Sequence, residues 1–188
     1  MRRFFKIWLG GLALLALVMS VAATANTGDK AAEIDQKVDQ ALAKLYSSCP
    51  AAVELSKVAK GILVFPRIVK GGFVVGAQYG TGALRINGKT VGYYRTMAAS
   101  YGLQAGVQAF GYAMFFMTDD ALNYLNKSKG WEIGVGPNVV VVDKGLAKSL
   151  STTTAKDDIY VFFFDQKGLM AGLGIQGAKI TRFDPDKK

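Results

Sequence analysis

Apolar residues along the first part of the chain recur at helical spacing. In DKAAEIDQKVDQALAKLY, residues 29–46, they lie three or four positions apart and therefore on one helical face: Ile34, Val38, Leu42 and Leu45. Thr27 or Asp29 can cap the start of this helix. A second, shorter helix is predicted to begin at Pro50, because proline fits the first turn of a helix, and Gly61 follows its end.

From Gly61 onward, β-branched and aromatic residues dominate and glycines recur every few positions. GILVF, residues 61–65, is a predicted strand that we expect Pro66 to stop. Asn87-Gly88 lies between two strand-like segments and is the strongest short-range signal for a hairpin. Further along, Val107 and Ala109 are predicted on one face of a strand, with Gln108 between them on the other.

One helical segment interrupts the strands. Thr118 is placed to cap DDALNYL, residues 119–125, and Asp119 and Asp120 favour its first turn. Further strands follow, and residues 165–168 are predicted to form the turn of a second hairpin. The sequence therefore predicts an α+β fold: N-terminal helices packed on a strongly curved, mostly antiparallel β-sheet or partly closed barrel, with one short helix inserted between strands.

The first 25 residues have the pattern of a secretory signal peptide. Arg2, Arg3 and Lys6 precede an apolar stretch, and Ala23-Thr24-Ala25 supplies the small residues that a signal peptidase reads. The alternative is an uncleaved N-terminal anchor. We expect cleavage after Ala25, a single domain over residues 26–188, and an exported, periplasmic protein that is peripherally attached to a membrane or free of it.

The chemistry available for catalysis is limited, because the chain of 188 residues contains no histidine and only one cysteine, Cys49. This excludes Ser-His-Asp and Cys-His sites, the commonest zinc ligand, and an intrachain disulfide. The carboxylate pairs at 119–120 and 157–158 are typical of helix caps and solvated loops. Residues 172–177 match G-x-G-x-x-G, but too little chain follows for a dinucleotide fold. We expect no enzymatic activity, no cofactor and no metal site.

Charge points instead to an anionic partner. The formal net charge is +9 and the pI is about 9.6, and basic residues interrupt the apolar segments between residues 60 and 95. We predict that four of them form a headgroup-binding patch: Lys60, Arg67, Lys70 and Arg95. Apolar residues expected to add contacts are Ile62, Val64, Phe65, Ile68 and Phe73. The alternative is that these basic residues mark the solvent-exposed face of a half-buried sheet.

Four long segments resemble the SYLF domain family: AKGILVFPRIVKGGFVVGAQYGTGAL, GYYRTMAASYGLQAGVQAFGYAMFFM, GWEIGVGPNVVVVDKGLAKSLSTTT and DDIYVFFFDQKGLMAGLGIQGAKITRF. The resemblance extends from about Ala31 to Phe183 and is strongest to exported bacterial members. It implies a lipid-binding module rather than an enzyme. Eukaryotic relatives bind phosphoinositides and some fungal ones bind actin filaments, but we expect no actin partner in a bacterial envelope.

Three non-enzymatic functions follow as hypotheses, and a hydrolase with an unusual carboxylate or lysine site is the fourth and least favoured. The first is an exported, non-enzymatic domain that binds anionic phospholipid headgroups at a membrane surface through a basic patch. The second is a structural or interaction protein of the envelope with a protein partner. The third is an acyl-chain carrier, in which the run Tyr112–Met117 either lines a cavity or forms ordinary core. No Lys/Arg block typical of a nucleic-acid arm is present, and we expect no nucleic-acid partner.

Overall fold

The computed structural model describes residues 29–72, 75–101, 106–127, 130–167, 175 and 177–187. The predicted signal peptide, Phe73 and most of the glycine-rich segment at 172–177 lie outside these ranges. The described helices are α1 (Asp29–Ser48), α2 (Pro50–Ser56), α3 (Asp119–Lys127) and α4 (Lys144–Ala147). The described strands are β1 (Gly61–Gly72), β2 (Val75–Ile86), β3 (Lys89–Tyr101), β4 (Gly106–Phe116), β5 (Trp131–Glu132), β6 (Val139–Val142), β7 (Ile159–Lys167) and β8 (Lys179–Phe183).

The described strands form one sheet in the order β5-β8-β3-β2-β1-β4-β7-β6. All neighbouring pairs are antiparallel except β6 and β7, which are parallel. The sheet curls into a half-barrel, and α3 lies between strands in the sequence. The predicted α+β fold, with helices on a curved and mostly antiparallel sheet, is therefore confirmed.

Two local predictions hold because short-range chemistry decides them. Asn87 and Gly88 join β2 to β3 with φ angles of 51° and 76°, the left-handed pair that a type I′ hairpin turn requires. Thr118 caps α3, since the backbone N–H of Ala121 donates to its Oγ1 at 3.2 Å. The carboxylates of Asp119 and Asp120 lie in the first turn, at the positive end of the helix dipole.

The expectation that Pro66 stops the first strand is wrong. β1 continues through Pro66 to Gly72, and its pairing shifts register around the proline on both sides, against β2 and against β4. Proline has no N–H to donate to a neighbouring strand, and a β-bulge is one of the few places in a sheet that tolerates this. The bulge also changes the alternation of side chains between the two faces. Phe65 and Ile68 are three positions apart, yet both are fully buried in the same cluster.

The sheet packs on both faces, and each face has its own core. On one face, which we call the α3 face, α3 packs with Leu63, Tyr112 and Trp131 among other buried residues. On the other, the α1 face, α1 and α2 pack against Val64, Phe115 and Phe162. The predicted helical residues Val38 and Leu45 are buried here, with Ile34 and Leu42 partly buried beside them.

A polar cluster fixes α1 to the β2–β3 hairpin. The Asp35 carboxylate accepts hydrogen bonds from Thr90 Oγ1 at 2.7 Å and from Tyr93 Oη at 3.0 Å. Arg85 Nη2 donates to Asp39 Oδ1 at 2.7 Å and to the Asp35 carbonyl oxygen at 3.2 Å. Burial and the neighbouring Asp35 raise the pKa of the Tyr93 hydroxyl. These contacts hold α1 against the ends of β2 and β3 that adjoin the turn.

Candidate functional site

The helices cover only one end of the α1 face. The residues buried beneath them belong to the half of the sheet around Val64, Ala83 and Ala113. Toward the other end of the same strands, side chains that project on this face are exposed. We call this part of the α1 face the uncovered end.

Large apolar side chains lie side by side on the uncovered end. Val69 of β1 stands directly opposite Tyr79 of β2, which stands opposite Met97 of β3. Directly opposite residues in a sheet share a face, so these three form one row. Their exposed fractions are 42%, 52% and 51%, respectively.

Two valines extend this row toward the end of the sheet. Val107 of β4 lies opposite Gly71, two positions beyond Val69, and is 68% exposed. Val75 begins β2 on the same face and is 64% exposed. We call the five residues the apolar patch: Val69, Val75, Tyr79, Met97 and Val107. Contiguous exposed apolar residues of this kind mark sites of contact with membranes or proteins.

Basic residues border the apolar patch. In the next row toward the covered end, Arg67 and Arg95 stand on either side of Thr81. The row that contains Val69 ends in a lysine on each side. On one side, Ala109 of β4 lies opposite Val69, and Lys167 of β7 lies opposite Ala109. On the other side, Lys179 of β8 lies opposite Met97. We call the basic rim the four residues Arg67, Arg95, Lys167 and Lys179.

The cations of the basic rim are available for an external anion. All four side chains are exposed, and within the described ranges none makes an ion pair with a carboxylate. The nearest acidic neighbour by register is Glu132, directly across from Lys179. Because neighbouring strands are about 4.8 Å apart, the backbones of Arg67 and Arg95 are separated by about 10 Å.

A groove of about 600 Å³ runs along the boundary between α1 and the uncovered end. Its apolar lining includes Ile34 of α1 and Val69 and Tyr79 of the patch. Its charged residues are Lys30, Glu33, Lys37, Arg67, Asp184 and Lys187. Lys37 is paired with Glu33 at 2.5 Å. The groove therefore combines an apolar wall with an excess of positive charge.

The structure brings together two of the four basic residues that the sequence nominated. Arg67 and Arg95 share one row on the α1 face. Lys60 precedes β1 at the opposite end of the strand, about 20 Å from Arg67 along the chain, and its Nζ is 3.6 Å from Asp119 Oδ2. Lys70 projects on the α3 face, opposite Gln78 and Gln108. The four residues do not form one patch.

The apolar partners nominated with them are also different from those observed. Ile62, Val64, Phe65 and Ile68 are buried in the two cores rather than exposed, and Phe73 lies outside the described residues. The exposed residues are instead those that alternate with the buried ones beyond the bulge. The alternation of Arg67, Ile68 and Val69 in the sequence indicates that Arg67 and Val69 share one face and that Ile68 lies on the other. It does not indicate which of the two faces is left uncovered by the helices.

A comparison with protein families identifies the kind of domain. The family model described as Ysc84, Las17-binding protein actin regulator, matches residues 97–186. This match supports the assignment of residues 97–186 to the SYLF domain family. This family consists of binding domains and is not known for enzymes. A comparison with curated proteins gives no match.

The SYLF match includes the strands from the middle of β3 through β8. Met97, Val107, Lys167 and Lys179 of the uncovered end lie within it, whereas β1 and β2 precede it. The uncovered end is thus built jointly by the matched segment and by the hairpin strands that come before it. The resemblance noted in the sequence, which begins before β1, spans both parts.

The described part of the chain offers no metal-binding cluster. No group of three or more Cys, Asp or Glu residues there is arranged to hold a metal ion. Cys49 is a partly buried free thiol beside the helical core. Among the described residues, no helix has the length and apolar character needed to cross a bilayer.

Proposed function

We propose that this SYLF domain is a non-enzymatic module that binds the surface of membranes containing anionic phospholipids. The uncovered end of the α1 face is the contact surface. The observation that carries the proposal is one continuous surface on which the apolar patch is bordered by cations that have no ion pair with a described carboxylate.

The two kinds of residue have separate roles in this proposal. Each Lys or Arg close to an anionic membrane surface contributes about 1 kcal/mol, so the basic rim draws the domain to the membrane and orients it. Half-exposed valine, tyrosine and methionine side chains that enter the interfacial region add about 1 kcal/mol each. Neither term requires a helix that crosses the bilayer, so the attachment is peripheral and reversible.

The groove beside α1 supplies a place for a headgroup. Arg67 lies both in the basic rim and in the groove wall, and Lys30 and Lys187 add positive charge from the two ends of the described chain. When the phosphate of a lipid headgroup binds in the groove, the apolar patch lies next to it and contacts the acyl chains of the same leaflet. Asp184 and Glu33 partly offset the charge, so the groove attracts anions less strongly than its cation count suggests.

The proposal is tested by flotation with vesicles of phosphatidylcholine alone or with phosphatidylglycerol. The chain from Asn26 onward contains every described helix and strand and lacks the apolar N-terminal segment, so any lipid affinity of that segment does not contribute to the result. We expect flotation with the anionic vesicles, weakened at 0.5 M salt, where screening is stronger. Binding that is equal for both vesicles and insensitive to salt contradicts the proposal.

Paired variants locate the surface. Replacing Arg67 and Arg95 with glutamine is expected to weaken partitioning into anionic vesicles by about thirty-fold, from about 1 kcal/mol for each charge. The matched control replaces Lys144 and Lys148 with glutamine. Both are exposed lysines at α4, which lies beside β6 at the covered end. It removes the same net charge, so an equal loss in both variants indicates only a general charge effect.

We also propose that the protein acts outside the cytoplasm after removal of residues 1–25. The basic start, apolar stretch and Ala23-Thr24-Ala25 exit of this segment support this. Fractionation of bacterial cells that express the full chain, with N-terminal sequencing of the product, tests it. A periplasmic product that starts at Asn26 is expected, and an unprocessed cytoplasmic product contradicts it.

A protein partner is the second candidate for the same surface. The description of the matching family names a Las17-binding actin regulator, which favours a protein ligand for members of that family. A photo-crosslinker at Met97 in living cells distinguishes the two: crosslinks mainly to lipid support membrane contact, and one dominant protein adduct supports a partner.

The third hypothesis, an acyl-chain carrier, has less support. The run Tyr112–Met117 was its candidate cavity lining, but Tyr112 to Phe116 are fully buried in the two cores.

A further inference from the structure

A polar row crosses the α3 face at the same end of the sheet. Lys70 of β1 lies directly opposite Gln78 of β2 on one side and Gln108 of β4 on the other. Gln78 is 6% exposed and Gln108 is 4% exposed, whereas Lys70 is half-buried. This row is separated from the apolar patch by the thickness of the sheet.

The two glutamines present unpaired polar atoms to this row. Within the described chain, neither Gln78 Nε2, a donor, nor Gln108 Oε1, an acceptor, has a hydrogen-bond partner. Lys70 has no ion pair with a described carboxylate. Buried donors and acceptors without partners are rare, because each loses its hydration without compensation. A bound polar group that pairs with both atoms removes this penalty.

The neighbouring row closes the site on one side. There Phe110 and Ile68 are buried, and the hydroxyl of Tyr112 donates to Thr96 Oγ1 at 3.2 Å. Thr96 is therefore already paired and belongs to the core rather than to the site. A ligand group at Lys70 therefore has apolar side chains on this side.

We propose that Lys70, Gln78 and Gln108 bind a phosphate group that carries, or lies beside, a hydroxyl. The Lys70 ammonium and Gln78 Nε2 donate to phosphate oxygens, and Gln108 Oε1 accepts from the hydroxyl. Inorganic phosphate near neutral pH has both functions in one ion, and a glycerol phosphate headgroup supplies the hydroxyl from its glycerol. Sulfate has the same shape but no hydroxyl, so it leaves Gln108 unpaired.

This inference goes beyond the proposed membrane function and does not depend on it. The membrane surface uses Arg67, Arg95 and the apolar patch on the α1 face, whereas the phosphate site uses three residues on the α3 face. Strand alternation separates the two sites, because Arg67 projects on the α1 face and Lys70 on the α3 face.

Thermal unfolding tests the site. Inorganic phosphate, glycerol phosphate and sulfate are titrated into the purified protein at pH 7 and constant ionic strength. We expect a saturable rise in Tm with phosphate, glycerol phosphate or both, and none with sulfate. A response to inorganic phosphate alone identifies the free ion as the ligand, and a stronger response to glycerol phosphate identifies a headgroup. An equal response to sulfate overturns the proposal.

Variants assign the response to these residues. Lys70→Met and the double change Gln78→Leu with Gln108→Leu are expected to abolish the phosphate-dependent rise, whereas Arg67→Gln with Arg95→Gln retains it. The double leucine variant is also expected to unfold at a higher Tm than the wild type without phosphate, because two unpaired amides are removed. If the arginine variant loses the response and Lys70→Met keeps it, phosphate binds the α1 face and the proposal is wrong.

A direct measurement covers the case in which a variant does not fold. In the wild-type protein, the side-chain amide NMR signals of Gln78 and Gln108 are expected to shift with phosphate and to stay unchanged with sulfate. Shifts confined to the arginine side chains of the α1 face contradict the site.

Discussion

Arg67 and Arg95 lie in one row of the sheet, on either side of Thr81, and project from the same face. The two residues are 28 positions apart in the sequence, and no carboxylate of the described chain neutralises either of them by an ion pair. The row immediately beyond them is apolar: Val69, Tyr79 and Met97. This arrangement of charge beside apolar surface is the basis of the functional proposal.

The apolar patch is expected to contribute to membrane affinity independently of charge. Replacing Met97 and Val107 with serine should weaken partitioning into anionic vesicles by about thirty-fold, from about 1 kcal/mol for each half-exposed side chain. Unlike the arginine changes, this loss should persist at high salt. Because both side chains are exposed, the stability of the fold should change by less than about 0.5 kcal/mol for each.

The control for this prediction replaces Val91 and Val141 with serine. Both valines are exposed to a similar degree, but Val91 lies near the Asn87-Gly88 turn and Val141 lies on the edge strand β6. Vesicle flotation and thermal unfolding of the wild type and the two double variants give the answer. Equal losses in the two double variants would show that the patch has no special role.

The bulge at Pro66 depends on close approach of β2, which Gly82 permits. A Cβ at Gly82 would lie 1.9 Å from the Val64 carbonyl oxygen and 2.8 Å from its carbonyl carbon. Gly82→Ala is therefore expected to lower the free energy of unfolding by at least about 2 kcal/mol and the Tm by about 4–8 °C.

Gly71→Ala is the matched control, because the added Cβ would meet Val107 Cγ2 at an ordinary 3.7 Å. Its stability should remain within about 0.5 kcal/mol of the wild type. Urea unfolding followed by circular dichroism measures both variants. If Gly82→Ala is tolerated as well as Gly71→Ala, the close approach of β2 to the bulge is not as described.

Asp35 is expected to contribute more to the attachment of α1 than Asp39 does. Asp35→Ala removes the acceptors of Thr90 and Tyr93 and leaves Arg85, whose side chain is only 11% exposed, with one carboxylate fewer. We expect a loss of about 2–3 kcal/mol in the free energy of unfolding. Asp39→Ala removes one exposed carboxylate and should cost less than about 1 kcal/mol. Urea unfolding distinguishes the two, and a reversed order contradicts the role given to Asp35.

Alkaline pH is expected to destabilise the fold through buried tyrosines. Burial raises the pKa of Tyr112 well above the usual value of 10.0, and the pKa values of Tyr46, Tyr93 and Tyr94 are also raised chiefly by burial. The unfolded chain loses these protons near pH 10 while the folded protein keeps them. The stabilisation is therefore complete below pH 10 and is lost as the pH rises toward the folded-state pKa values.

Tyr112→Phe isolates one of these groups. At pH 8 the variant should be less stable than the wild type, because the hydrogen bond to Thr96 is lost. By pH 11 the difference should narrow by about 1.4 kcal/mol, since phenylalanine has no proton to lose in the unfolded state. Urea unfolding at the two pH values measures this change, and a difference that does not depend on pH contradicts it.

Local chemistry made much of the fold predictable. The Asn87-Gly88 turn, the Thr118 cap and the apolar face of α1 each depend on residues close in sequence, and each was placed correctly. Pro66 misled because a proline in isolation ends a strand. What keeps β1 continuous is the simultaneous register shift against β2 and β4, and those partners are distant in the sequence.

The candidate site was only half predictable for a similar reason. Alternation shows that Val107 and Gln108 project on opposite faces, but it does not show which face is covered. In the structure the glutamine is buried and the valine is exposed, the reverse of their polarity. The cause is the limited reach of α1 and α2, which stop short of this end of the sheet. Lys60 and Lys70 were grouped with Arg67 because they are close in sequence. The length of β1 places Lys60 at the opposite end of the strand, and alternation places Lys70 on the opposite face of the sheet.

The most direct test of membrane contact places a fluorescent reporter on the uncovered end. In a Cys49→Ser background, Met97→Cys and, as a control, Val141→Cys are labelled with a polarity-sensitive dye and mixed with phosphatidylglycerol-containing vesicles. We predict a blue shift, and quenching by quencher-labelled lipid, for the label at position 97 and neither effect at position 141. An unchanged spectrum at position 97 in protein that floats with the vesicles would contradict the account.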